Sequence, residues 1–208
     1  MVKINILNNL LENKDINKSK IADRLIENSE TSERILEPKF PKLIQIETTN
    51  ICNHKCFFCA YTEMERKKAH IDKDLFIRIV KECYELGSRE IGLFSGAEPM
   101  TCKWLDEYVR ICKDIGYSYT YISSNGSFDI ERYKKVVLAG LDSIKFSVNG
   151  GDEKTYEKVH GKNDFKKVVD NIKLLNFFRK ENNLKLWLGV SFVAVPETEK
   201  SFLNLKDI

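Results

Sequence analysis

Hydrophobic residues along this chain change period again and again. At 43–47, LIQIE reads as a strand, with apolar and polar side chains on opposite faces. At 72–87, DKDLFIRIVKECYELG puts Leu75, Ile79, Cys83 and Leu86 on one helical face, with Phe76 and Val80 beside them, and Gly87 closes the run. The order then repeats: strand 90–96, helix 104–115 with Leu105, Val109 and Cys112 aligned, strand 119–125, helix 129–139, strand 143–148, helix 164–181 and strand 185–195. Phe202 and Leu205 are the apolar contacts of a fifth predicted helix. Five such alternations predict an α/β fold of parallel strands joined by right-handed crossovers. Periodicity alone leaves a barrel and an open doubly wound sheet both standing.

Residues 1–40 follow a different pattern. Two short amphipathic stretches, 4–11 and 21–26, flank the polar run 13–20, which predicts a helical N-terminal extension, rich in Asn and Lys, ahead of the main domain at 41–208. Pro38 and Pro41 mark the approach to the first strand, because proline removes a backbone donor and restricts the residue before it.

Composition narrows the function. The 208 residues are 42% hydrophobic, enough for one core plus an appendage. Lys and Arg total 34 against 31 Asp and Glu, a net charge of +3 spread along the chain, which implies no nucleic-acid partner. No apolar run approaches the ~20 residues of a membrane span, and no secretory leader is visible. The expected location is the cytoplasm. Six cysteines fit a reducing compartment, since three crowd one loop while Cys83 and Cys112 read as buried small apolar residues. Cys102 falls at a helix start, where the helix N-terminus would lower its pKa.

The crowded loop is ETTNICNHKCFFCAY at 47–61, which sets Cys52, Cys56 and Cys59 in the spacing CxxxCxxC after the first strand. A structural zinc site normally has four protein ligands, whereas three thiolates on a four-iron four-sulfur cluster leave one iron open to a small molecule. A zinc site completed by a distant residue, or by His54, is the alternative.

With Phe58 just before the last cysteine, this loop resembles that of the radical S-adenosylmethionine (radical SAM) enzymes, in pattern like the branch of sulfatase-maturing and molybdenum-cofactor-synthesising members. The resemblance implies a partial (β/α) barrel of the TIM type, with its site at the carboxyl ends of the strands. Five strands can be counted where relatives have six, so the barrel reads as truncated after five β/α units, either a fragment or one whose open edge another chain covers. No cysteine-rich extension for auxiliary clusters is visible.

The resemblance also assigns roles. Cys52, Cys56 and Cys59 would ligate the 4Fe-4S cluster, and Phe58 would lie near the adenine of S-adenosylmethionine. Ser95 to Pro99 resembles the family's GGEP element, which binds the methionine amino group; Gly96, Glu98 and Pro99 match, and Ala97 replaces a glycine, which is tolerated where φ is negative. Ser124 and Asn125, in Ser123-Ser124-Asn125-Gly126, resemble the TNG-type turn that hydrogen-bonds the ligand, although Asn-Gly also suits a plain turn. Ser147 and Asn149 resemble the ribose-contacting segment, with Asn in place of Asp, and Val195 the adenine-contacting strand end. His160-Gly161 stands where relatives usually carry Arg-Gly, and a lone histidine is more often structural.

The implied activity is reductive cleavage of S-adenosylmethionine to a 5'-deoxyadenosyl radical that abstracts hydrogen from a substrate such as a peptide or sugar derivative. It requires a low-potential electron donor of the flavodoxin or ferredoxin kind, no DNA and no membrane. A non-catalytic module binding the cluster and S-adenosylmethionine is the second reading, and a zinc-stabilised α/β binding protein the third.

Overall fold

Each strand of this protein pairs with the strand that follows it in sequence. The computed structural model describes residues 23–24 and 39–207, so the extension expected over residues 1–40 lies almost wholly outside the described residues. The elements are β1 (Leu43–Gln45), α1 (Lys73–Glu85), β2 (Glu90–Gly92), α2 (Leu105–Ile115), β3 (Tyr119–Ser124), α3 (Ile130–Leu138), β4 (Ser143–Ser147), α4 (Glu153–His160), α5 (Phe165–Glu181) and β5 (Trp187–Ser191). A 3-10 helix, Glu199–Asp207, comes last.

All four strand pairings are parallel, and the order across the sheet is β1-β2-β3-β4-β5. A doubly wound sheet reverses direction at a switch point, and this one never does. It is therefore the barrel-type winding, and among the described residues β1 and β5 do not pair, which makes the barrel partial. No helix among the described residues is long and apolar enough to cross a membrane.

Strand alternation sorts the side chains. Ile91, Leu93, Ile122, Ile144 and Phe146 are fully buried and face the helices. Gly92, Tyr121 and Lys145 alternate with them on the inner face. Gly92 leaves room there, because a Cβ would lie 2.9 Å from the Tyr121 ring, which would have to shift.

Four expectations change. On α1, Phe76 and Val80 form the buried stripe, whereas Leu75 and Leu86 are 38% and 62% exposed. The helix turns toward α2, where the Phe76 ring stacks on Tyr108 at 4.1 Å. Second, α4 stands where the sequence reading placed no helix. Asp152 caps its start by accepting from the Thr155 N–H at 2.8 Å, and Gly161 ends it with φ 65. Third, the last predicted helix is a 3-10 helix. Cys112 and Cys102 are both fully buried, so Cys102 is a core residue, and burial raises its thiol pKa instead of a helix end lowering it.

The stripe on α1 can be checked by urea unfolding. Phe76→Ala should cost about 3–5 kcal/mol, the usual penalty for deleting a buried ring, and Leu75→Ala no more than about 1 kcal/mol. Equal penalties would put the wrong face of α1 on the core.

Candidate functional site

Between β1 and α1 the chain makes a long excursion that carries all three clustered cysteines. Asn50 pins its return: the side-chain amide donates to the Lys67 carbonyl at 2.9 Å and its oxygen accepts from the Ala69 N–H at 2.7 Å. The Tyr61 hydroxyl accepts from the Cys52 N–H at 2.8 Å, and the Cys59 N–H donates to the Cys56 carbonyl at 2.9 Å. At the far side, the Lys55 and Phe57 N–H groups donate to the carbonyls of His160 and Val159 at 3.2 and 3.0 Å. Those carbonyls belong to the last turn of α4, which has no intrahelical donors for them. The helix end and the loop satisfy each other.

The three sulfurs open on one cavity of about 260 Å³ at the carboxyl end of the sheet. Burial raises the Cys52 and Cys56 pKa values, Cys56 to about 12, and for Cys56 the neighbouring thiols Cys52 and Cys59 add to the rise. A cation bound among the sulfurs would reverse that balance. Phe58, 38% exposed, lines the same cavity with its ring edge-on to Phe57.

The loop after β2 brings Gly96, Ala97 and Glu98 to the opposite wall. A Cβ at Gly96 would meet only Glu47 Oε2, at 3.8 Å, so the room beside it is open. Positive φ among non-glycine residues is confined to Asn149 and Asn183 in the described chain, so Ala97 satisfies the condition under which a methyl is tolerated. Glu98 is 3% exposed. Its Oε1 accepts from the Ser124 hydroxyl at 2.8 Å and the Met100 N–H at 3.1 Å, and its Oε2 from the Asn125 N–H at 2.7 Å. Oε2 has one donor and keeps a lone pair for another. Burial outweighs these bonds and lifts the Glu98 pKa to about 7.

The turn after β3 is bound into the same network. Asn125 donates its side-chain amide to Asn53 Oδ1 at 2.7 Å, which joins the turn to the cysteine loop. Gly126 has φ 81, and a Cβ there would lie 2.7 Å from Val168, so Asn-Gly also serves the turn geometry. Ser147 faces Ser123 and Ser191 at 3.3 and 3.4 Å, a row of hydroxyls across three strand ends. Asn149 adopts φ 53, a conformation asparagine tolerates, and its Oδ1 accepts from the Val193 N–H at 2.9 Å. Of the residues singled out in the sequence, Pro99 is buried and does not line the cavity, and Val193, not Val195, lines its wall.

His160, which the sequence reading took as more often structural, stands beside the cysteines. It is 1% exposed, and its Nδ1 lies 3.4 Å from Cys56 Sγ and 3.1 Å from His54 Nδ1. Burial lowers the pKa of both imidazoles, that of His160 to about 4. The signal was present as Asp152 and Gly161, a cap at each end of an eight-residue helix.

The family model for the radical SAM superfamily matches residues 46–203. The chain belongs to the radical SAM superfamily. Among its relatives, a probable GTP 3',8-cyclase of Saccharolobus islandicus is 31% identical over 130 residues, which is 62% of this chain and 42% of the relative. An S-adenosylmethionine-dependent nucleotide dehydratase of Lacinutrix mariniflava is 29% identical over 155 residues, 72% of this chain and 32% of the relative. The chain thus spans less than half the length of these curated relatives. Of solved structures, Streptococcus suis SuiB bound to the precursor peptide SuiA superposes with a TM-score of 0.66 at 16% identity, covering 89% of this chain and 38% of that one. BtrN in complex with AdoMet and 2-DOIA gives 0.57 at 20% identity, over 72% and 56%. At these identities the structures show the shared radical SAM fold.

Glu98 makes the stability of the ligand-free radical SAM domain depend on pH. The folded carboxyl, near 7, holds a proton that the unfolded chain releases at the ordinary 4.5, so stability falls as pH rises through that window. The stability of the unsubstituted protein relative to Glu98→Gln should drop by about 3 kcal/mol between pH 4.5 and 7.5 in urea titrations. A flat difference would show that the carboxyl is ionised when buried.

Proposed function

We propose that this chain carries out radical chemistry with S-adenosylmethionine on a 4Fe-4S cluster held by Cys52, Cys56 and Cys59. The observation that carries the reading is convergence: three sulfurs, the Gly96-Ala97-Glu98 wall and Ser124-Asn125 of the turn after β3, from three separate strand ends, all meet at one cavity. Membership of the radical SAM superfamily supports it independently.

When bound, the cluster and S-adenosylmethionine supply one-electron cleavage of a carbon-sulfur bond and a 5'-deoxyadenosyl radical that takes hydrogen from the substrate. The residues of this chain bind and orient. Cys52, Cys56 and Cys59 leave one iron without a protein ligand. Glu98 offers Oε2 to the ligand's ammonium, and that cation would favour the ionised carboxylate that burial disfavours. Phe58 and Val193 would give apolar surface to the adenine, and Asn149 and Ser147 would offer polar groups to the ribose. A flavodoxin- or ferredoxin-like donor would deliver the electron.

The substrate reaches the cavity along the inner face of the sheet. That face carries Phe94, Tyr121 and Lys145, aromatic and cationic groups that suit the base and phosphate of a nucleotide as well as a peptide or sugar derivative. The two relatives named for a GTP cyclase and a nucleotide dehydratase favour the nucleotide.

Anaerobic reconstitution with iron and sulfide, then dithionite and S-adenosylmethionine, should yield 5'-deoxyadenosine by chromatography. Cys56→Ala should lose both the cluster and the product. Glu98→Ala should keep the iron and sulfide while weakening S-adenosylmethionine binding at least tenfold, roughly 1.4 kcal/mol. A full cluster on Cys56→Ala would remove the proposal, and a cluster that yields no 5'-deoxyadenosine would favour a binding module without turnover.

A further inference from the structure

In the wall of the cysteine cavity, two buried histidines bring their Nδ1 atoms face to face. His160 Nε2 lies 2.7 Å from the Val148 carbonyl, which can only accept, so Nε2 carries the proton and Nδ1 a lone pair. His54 Nε2 lies 3.1 Å from the Ser127 hydroxyl and 3.4 Å from the Asp164 carboxylate, and the carboxylate favours a proton on Nε2 there too. The two Nδ1 lone pairs then face each other at 3.1 Å, with Cys56 Sγ 3.4 Å from one of them. Both rings are almost fully buried, so water does not relieve the repulsion.

A metal ion does. The donor atoms of His54, Cys56 and His160 all lie within 4.8 Å of one another. A tetrahedral zinc ion, with Zn–N about 2.0–2.1 Å and Zn–S about 2.3 Å, sets its donors roughly 3.3–3.6 Å apart; the two separations to His160 Nδ1, 3.1 and 3.4 Å, already lie close to that, and the third pair, His54 with Cys56, closes from no more than 4.8 Å. The far ring nitrogens already hold their partners, a backbone carbonyl for one and a carboxylate for the other. That is the outer shell which orients metal-binding histidines. Two imidazoles and one thiolate suit a borderline divalent ion.

We propose that, before the cluster is built, His54 Nδ1, His160 Nδ1 and Cys56 Sγ hold a single Zn²⁺ ion, and that zinc and the cluster exclude each other because both need the Cys56 thiolate. Binding displaces the Cys56 thiol proton to solvent, leaving one zinc-thiolate bond, two zinc-imidazole bonds and a fourth position toward the cavity. The exclusion rests on the cluster assignment above, whereas the zinc site itself does not.

The test uses the full chain, stripped of metal and kept anaerobic. One equivalent of Zn²⁺ should bind, and X-ray absorption at the zinc edge should give one sulfur and at least two nitrogens; three sulfurs, or no stoichiometric binding, would overturn the site. Co²⁺ as a visible probe should show a tetrahedral spectrum with charge transfer from a single thiolate, and His160→Ala should weaken it at least tenfold while Cys59→Ser leaves it unchanged. The reverse dependence would assign the metal to the cysteine triad. The absorption measurement needs no variant, so a misfolded His160→Ala protein does not rescue the idea. Zinc-loaded protein should take up no iron and sulfide until a chelator removes the zinc. A cluster assembled with zinc retained would sink the exclusion, whatever the 5'-deoxyadenosine assay gives.

Discussion

The middle of the cysteine loop is held by two backbone hydrogen bonds, from Lys55 and Phe57 to the last carbonyls of α4. The cysteine loop belongs to no strand ladder and offers peptide N–H groups that need acceptors. The end of α4 offers carbonyls that need donors. Because each supplies what the other lacks, a loop that would otherwise sample many conformations is held against a helix formed about a hundred residues later. The same contact brings His160 to Cys56.

A second tie runs through the polar core of the site. Glu98 joins the loop after β2 to the end of β3 by accepting from Ser124 and Asn125, and Asn125 in turn reaches Asn53 of the cysteine loop. A carboxyl buried this way is electrostatically costly, which is why its pKa rises, yet the bonds fix three strand-end loops relative to one another. The cavity is rigid where these bonds hold it. It opens on the side where Gly96 carries no side chain.

This arrangement explains how a short sheet brings so many polar side chains to one cavity. The strands themselves are only three to six residues long, and the residues that reach the cavity come from just beyond their carboxyl ends. Crossovers of one hand stack those ends side by side, so elements separated by fifty residues in sequence become walls of one cavity. The superfamily match spans 46–203, the same stretch that contains all of these loops.

The chain's own residues determined the alternation of strand and helix and pointed to the loops that meet at the cavity, while leaving barrel and open sheet both standing until the strand order was known. Alternating periods gave five strands and their helices, and the cysteine spacing with Glu98 two residues beyond Gly96 marked the site, because both are local patterns that need no partner to be read. Tertiary structure alone decided which stripe of α1 is buried, since Leu75 and Phe76 are equally apolar and only the placement of Tyr108 chooses between them. It also decided that Val193 and not Val195 reaches the cavity, where Asn149 bends the chain with φ 53. His160 is the clearest case. Nothing within its own stretch of sequence announces a neighbour at Cys56, because that contact is made by folding across 104 residues and not by any pattern along the chain.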